Sequence, residues 1–274
     1  VRYKKKGSDY EESYVAKMNP CLPVNPFTEM LMIIIGGMNK QLDKLNLPHI
    51  RTPKLYARTL EIGREAFITQ NLRKGGYIMP DKMKGLDLDH SVLVLKELGR
   101  FHASSLLYEK TLHPKTIEQS FNFKDPRYFD HDVNKFFGNL MTSNVNIIID
   151  MLKKEDPKYE TCVKWLQVHH DKMAKYFFDG FTLIKTFDVL AHGDCWNNNI
   201  LFRYDEDDIP IDVRFVDLQC SRKASPATDI LYFFYTSLSG DFRAEKMNYM
   251  VSIYYKSFCE VLSRAEKSPP FSYE

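Results

Sequence analysis

Paired cysteines are what this sequence most plainly lacks. Cys21, Cys162, Cys195, Cys220 and Cys259 are scattered and odd in number. That spacing excludes a disulfide framework and a close-paired zinc or redox site, and a reduced, cytoplasmic protein is the expectation. Long apolar runs are missing too. The longest, MLMIIIGGM at Met30–Met38, is far short of the about 20 residues that span a bilayer. The opening VRYKKKGSDY is positive with no apolar segment behind it, so it is no secretory signal. Neither sign of charge dominates: 38 Lys and Arg face 36 Asp and Glu, a net charge of +2. This gives no reason to expect a nucleic-acid partner or a membrane surface. Internal repeats and low-complexity segments are absent, and nothing points to an obligate protein partner.

What remains is an ordinary globular composition, 44 % hydrophobic and 27 % charged over 274 residues, which favours about two domains. Ser13–Met18 alternates like a strand, and the three prolines of NPCLPVNP forbid regular structure after it. Phe27–Leu45 reads as a helix weakened by Gly36 and Gly37. TPKLYAR and EAFITQNL read as strands, and RKGGY as a glycine-bearing joint. From Asp89, a candidate N-cap, the chain turns helical, with Leu95, Leu98, Phe101 and Leu106 as the apolar face. Helices are also expected over about 133–153 and 157–178, and again from Asp229. Between the last two lie DVLAH, NILFRY and VRFVD, the latter pair joined by the acidic turn DEDDIP in a predicted hairpin. The expected fold is therefore α+β and bilobal, like a protein kinase. A β-rich N-lobe would occupy 1–73, and a mainly helical C-lobe with a catalytic-loop hairpin 74–274.

The chemistry sits on that hairpin. HGDCWNNNILF fits H-x-D-x-x-x-x-N through His192, Asp194 and Asn199, the spacing of a kinase catalytic loop. A hydroxyl attacking a phosphoryl group needs a carboxylate to orient it and take its proton, a role that fits Asp194. Developing charge needs Mg²⁺, a hard cation that prefers oxygen ligands. Asn199 offers a neutral carbonyl oxygen, and Asp217, ending the strand RFVD, a charged one. Asp and Asn are also common in turns, but here motif, strand, turn, strand and second acid follow in order. Gly193 stands where protein kinases carry an arginine, and only residues 218–228 separate Asp217 from Asp229. A long peptide-binding activation segment does not fit there, which favours a small-molecule substrate.

HGDCWNNNILF, VDLQ and PATDI together resemble the aminoglycoside/choline kinase superfamily, and within it the ecdysteroid kinase-like (CHK kinase-like) family. GLDLDHSVLVLKELGRFHASS is similar to the helix that follows that family's hinge, YVAKMNP to its third front-lobe strand, and PKLYAR to the strand before the hinge. The resemblance covers essentially the whole chain. It implies ATP- and Mg²⁺-dependent phosphorylation of a hydroxylated small molecule, such as an ecdysteroid or similar lipophilic alcohol. The alternative is a catalytically impaired, pseudokinase-like binder of small molecules. By resemblance, Lys17 would contact the α- and β-phosphates, though a solvated strand lysine is the plainer alternative. Glu29 would be its helix partner. The hinge residues Thr69, Gln70, Asn71 and Leu72 would meet adenine through their backbone. Gln70 and Asn71 depart from the acidic residues common there. Family members also carry two strands and a glycine-containing loop ahead of this chain's first residue, and more helices beyond SPPFSYE. The expectation is a truncated or degenerate copy.

Other residues admit bland readings. His102 suits a satisfied core position better than a substrate contact. His169 and His170 lack metal-ligand spacing. Cys195 is expected to pack rather than react, His192 to brace the loop, and Asp229 to cap the next helix. Trp196 and the aromatic run Tyr232–Tyr235 could line a flat apolar pocket, with core packing the stronger reading for the run.

Overall fold

The computed structural model describes residues 2–5, 8–18, 27–59, 66–121, 131–180 and 188–273. They cluster into two units, one of Val1–Phe121 with Lys185–Glu274 and one of Asn122–Ile184. Residue 73 lies inside the first of these. The expected mixture of helix and strand is present.

The first unit begins with a short antiparallel pair that sequence patterning did not suggest, β1 (Arg2–Lys5) and β2 (Ser8–Glu11). A separate antiparallel sheet follows, made of β3 (Tyr14–Met18), β4 (Leu55–Thr59) and β5 (Ala66–Gln70), with β5 in the middle. Lys17 is opposite Phe67, and Val15 opposite Thr69. The two-residue period of a strand sends all four side chains to one face. Helix α1 (Phe27–Lys44) runs straight through Gly36 and Gly37. Its burial of Ile34, Ile35, Met38 and Leu42 outweighs the propensity cost of the two glycines, about 1 kcal/mol each.

After β5 a tight turn, Leu72–Gly75, is capped by the Asn71 side chain and ended by Gly76. The chain then bonds to the predicted hairpin, which is real: β7 (Ile200–Tyr204) pairs antiparallel with β8 (Pro210–Phe215). Ile78 exchanges two 2.9 Å backbone hydrogen bonds with Phe202, and the Phe215 N–H donates to Arg51 O at 2.9 Å. Both hairpin edges are thus pinned. Beside it, β6 (Val189–Ala191) pairs with β9 (Arg222–Ala224).

Helix α2 (Leu88–Thr111) is capped by Asp87, not by Asp89 as expected. Asp87 Oδ1 accepts from the His90 N–H at 3.1 Å, which starts the helix two residues sooner. Leu95, Leu98 and Phe101 are fully buried as anticipated, whereas Leu107 rather than Leu106 completes the inner face. The predicted helix from Asp229 starts instead at Pro226, because Ser225 accepts from the Ala227 N–H and caps α7 (Pro226–Ser237). Helix α8 (Gly240–Arg264) packs along α2. Gly99 permits this, since a Cβ there would lie 2.6 Å from Tyr254 O. A short helix, α3 (Ile117–Phe121), closes the first stretch of the unit.

The second unit is helical: α4 (His131–Leu152), α5 (Glu160–His169) and α6 (Met173–Asp179). Val145, Ile149 and Val163 form its buried centre, with Leu152, Leu166 and Met173 packed against them. The helix expected over 157–178 is broken by tight turns at Pro157–Tyr159 and His170–Lys172.

Candidate active site

The catalytic-loop motif lies between β6 and β7, so strands fix both of its ends. Asp194 is held from two directions. Asn199 Nδ2 donates to its Oδ2 at 2.8 Å and to its backbone oxygen at 3.0 Å. The Tyr232 hydroxyl, from α7, donates to Oδ1 at 2.9 Å. Burial, reinforced by the Asp194 hydrogen bond, pushes the Tyr232 phenol well above its ordinary range, so it stays a donor. The aromatic run divides: Phe233 and Phe234 are core, while Tyr232 reaches the site. Nothing but the helical period of α7 could have singled Tyr232 out.

Beneath the loop lies a buried scaffold. Asp229 Oδ2 accepts from the His192 N–H at 2.6 Å, and Oδ1 from the Gly193 N–H at 2.8 Å. His102 Nε2 lies 3.1 Å from Asp229 Oδ2, and its Nδ1 2.8 Å from the Tyr254 hydroxyl. Burial alone would raise the Asp229 carboxyl, but the His102 hydrogen bond, the neighbouring imidazoles and the Gly193 N–H hold it below the usual carboxylate range. Asp229 is therefore not the helix cap that was expected; Ser225 is, which leaves the Asp229 carboxylate free to tie down the catalytic loop itself. His102 is a satisfied core histidine. His192 is buried edge-on against Phe215, with burial lowering its pKa. Cys195 is fully buried, and burial pushes its thiol up, away from the reactive thiolate.

Gly193 has φ +82°, and a Cβ there would lie 2.0 Å from Cys220 O. The loop after β8 passes directly over it. Arg222 Nη1 donates to that same Cys220 oxygen at 3.0 Å. No side chain fits at position 193, which accounts for the glycine that sequence comparison with protein kinases made conspicuous. Asp217 also adopts a left-handed conformation, φ +55° and ψ +56°, at a cost of about 1–3 kcal/mol for a non-glycine residue. The Val216 N–H donates to Asn199 O at 3.0 Å, so the two loops are stitched together beside this strained residue.

Across from Asp217 lies the β3–β5–β4 sheet. Lys17 Nζ donates to Asp217 Oδ1 at 2.7 Å and to Gln219 Oε1 at 3.4 Å. A cleft of about 360 Å³ opens here, lined on the sheet side by Val15, Lys17, Leu55, Phe67 and Thr69, and on the hairpin side by Leu201, Phe215 and Asp217. Gln70, Asn71 and Leu72 close one edge. The structure thus places Lys17, Thr69, Gln70, Asn71, Leu72 and Asp217 around one cavity, and joins Asp194 to Asn199 next to it. The side chain of Glu29 lies outside the described residues. Asn71 uses its side chain to cap the following turn and to reach Ser13 Oγ at 2.7 Å, a structural use that suits its departure from an acidic residue.

The donor set fits Mg²⁺ and a nucleotide. Asn199 spends its NH₂ group on Asp194, which turns its carbonyl oxygen elsewhere, and Asp217 supplies a half-exposed carboxylate. Among the described residues no group of three or more His, Cys, Asp or Glu is placed to hold a metal. Two oxygen ligands with phosphate completing the shell is the ordinary arrangement for Mg²⁺ at a phosphate site.

An H-x-D-x-x-x-x-N loop and a second acid joined by one hairpin define the kinase-like phosphotransferases. The model of the ecdysteroid kinase-like family matches residues 28–267. The chain belongs to the ecdysteroid kinase-like family. Among solved structures it is similar to a protein of Ralstonia eutropha JMP134 provisionally assigned as an aminoglycoside phosphotransferase. That likeness has 14 % identity and a TM-score of 0.43, and covers 94 % of this chain and 70 % of the other. None of the curated proteins matches the chain.

Proposed function

We propose that the protein is an ATP- and Mg²⁺-dependent phosphotransferase acting on a hydroxyl of a lipophilic small molecule such as an ecdysteroid. The observation that carries this reading is the set of contacts on Asp194. One oxygen is held by Asn199, and the other by a hydroxyl that occupies the position an acceptor would take. When bound, Mg·ATP supplies the phosphoryl group and the cation that offsets its charge. Asp194 Oδ1 would orient the acceptor hydroxyl and take its proton as the new O–P bond forms and the bond from the γ-phosphorus to the bridging oxygen breaks, with ADP as the leaving group. Asn199 and Asp217 would hold the ion, and Lys17, now paired with Asp217, would contact the phosphates. The edge formed by Thr69, Gln70, Asn71 and Leu72 receives adenine. On this reading the 1–73 segment is the nucleotide-covering lobe, and residues 74–274 carry the catalytic loop and the acceptor side.

Tyr232 competes with the acceptor for Asp194 Oδ1. Helix α7 also exposes Leu231 and Tyr235 on the neighbouring surface, an apolar rim suited to a flat lipophilic alcohol. A second reading, a pseudokinase-like small-molecule binder, draws on the Lys17–Asp217 ion pair, which ties together the two charges that nucleotide and metal would need. The readings separate when the protein is incubated with Mg·ATP and a panel of steroids, phenolics and choline, with products followed by mass spectrometry. A phosphate ester that forms with wild type and not with Asp194→Ala supports the transferase. Acceptor binding with no phosphate ester and no ATP consumption supports the binder.

A further inference from the structure

A second cavity, about 470 Å³, lies on the outer face of the same hairpin and is lined by Pro48, His49, Arg51, Arg203, Ile211, Asp212 and Arg214. Antiparallel pairing sets Arg203 opposite Asp212 and Arg214 opposite Leu201. The strand period therefore gathers these polar side chains on one face, while Phe202, Val213 and Phe215 take the core face.

The charges in this cavity do not cancel. Asp212 is its one carboxylate, and three guanidinium groups surround it. Arg51 Nε lies 3.3 Å from Asp212 Oδ1, and Arg214 Nη2 3.3 Å from Oδ2. The Tyr77 hydroxyl also donates to Asp212. Burial would raise the Asp212 carboxyl, but the Tyr77 hydrogen bond and the two arginines hold it low. Asp212 is thus ionised and fully engaged. Glu97 touches Arg51 from behind, yet it is already paired with Arg100, and His49 pairs with Asp43. Arg203 has no carboxylate partner among the described residues. Its guanidinium carbon rests 5.6 Å from the Tyr77 ring centroid, with that of Arg214 5.2 Å from the same ring. The acidic turn beyond β7 does not reach it, and Asp205 Oδ1 is spent on the N–H groups of Asp207 and Ile209.

Each guanidinium carries five N–H donors in a fixed fork suited to oxyanions. Arg214 commits two of its nitrogens to Tyr77 and Asp212. Arg51 commits Nε alone among its side-chain nitrogens, and Arg203 commits none. Three cations against one anion leave two positive charges in a concave, donor-rich cavity. That suits a tetrahedral oxyanion ester, the dianion of a phosphate monoester or the monoanion of a sulfate ester. The volume is in the range of pockets that hold a small metabolite, not a bare ion alone.

We propose that this cavity binds the phosphate or sulfate group of a small metabolite, at a site separate from the candidate active site. The two adjoin along the chain, since Arg51 lines this cavity and the next residues, Thr52 and Pro53, line the cleft. The proposal does not rest on the transferase reading.

The test is calorimetric titration of the whole chain with inorganic phosphate, and separately with sulfate, at ionic strength held constant with chloride. Wild type, Arg203→Ala, Arg203→Gln and Lys17→Met are compared. Arg203 is exposed and its guanidinium lies over the Tyr77 ring with no carboxylate partner among the described residues, so its replacement leaves the fold intact. Saturable binding near one equivalent is expected in wild type and in Lys17→Met, weakened about tenfold in both Arg203 variants by the loss of charge-assisted hydrogen bonds. Tighter binding of phosphate than of sulfate assigns the site to phosphate esters, and the reverse to sulfate esters. Heat that does not saturate, affinity unchanged in the Arg203 variants, or binding lost in Lys17→Met would each overturn the proposal, the last by placing the anion in the nucleotide cleft.

Discussion

On the hairpin side of the cleft, the catalytic loop hangs from Asp229, a carboxylate 1 % exposed that accepts two backbone N–H groups and pairs with the fully buried His102. On the sheet side, Lys17 meets Asp217 through one ion pair whose side chains are 57 % and 34 % exposed. A buried charge whose partner is removed costs several kcal/mol, whereas an exposed pair contributes little. Asp194, the proposed base, is therefore preset by the fold, and Lys17, the proposed phosphate contact, is held loosely enough to move. A kinase-like site needs both: a fixed acid–base group and a lysine able to exchange a carboxylate for phosphate.

The contrast can be broken at several points. The largest expected effect is on stability: Asp229→Ala strands His102 and two loop N–H groups, and chemical denaturation should show a loss of about 3–5 kcal/mol. A loss under about 1 kcal/mol would mean that the loop does not depend on this scaffold. Tyr232→Phe should keep the fold and raise acceptor kcat/KM several-fold, since a hydroxyl worth about 1 kcal/mol no longer competes for Asp194. A fall in kcat/KM would instead make Tyr232 a substrate-positioning group.

Acidification probes the buried side through His192. Burial holds the folded-state pKa of His192 below 6.5, so beneath that pH the unfolded chain takes a proton that the folded one refuses. The stability His192 contributes is therefore complete above pH 6.5 and declines as the pH falls below it. His192→Asn should flatten that part of a melting-temperature profile. The smallest effect belongs to the exposed pair. Lys17→Met should change unfolding free energy by less than about 1 kcal/mol while weakening Mg·ATP binding in a calorimetric titration.

The hairpin was legible in the sequence because its signals are local. Alternating apolar residues, an acidic turn and the H-x-D-x-x-x-x-N spacing all fall within Val189–Asp217, and the hairpin and the Asp194–Asn199 contact are in place. Helix interiors were legible for the same reason, as Leu95, Leu98 and Phe101 show. What sequence patterning missed was decided by contacts between distant segments. Asp229 looks like an N-cap until Ser225 takes that role and the loop N–H groups turn to the carboxylate. Tyr232 is indistinguishable from Phe233 and Phe234 until the direction of α7 is known. The three arginines of the outer pocket come from a loop and two strands, and no single stretch displays them together.

The proposed metal site depends on Asp217, whose strained left-handed backbone presents a carboxylate to the cleft. The direct test is Asp217→Ala, assayed for ATP-dependent phosphate-ester formation on the best acceptor, with the melting temperature measured alongside. The account predicts an unchanged fold and product below detection. Product formed at the wild-type rate would show that Asp217 holds no metal, and the proposed chemistry would not stand.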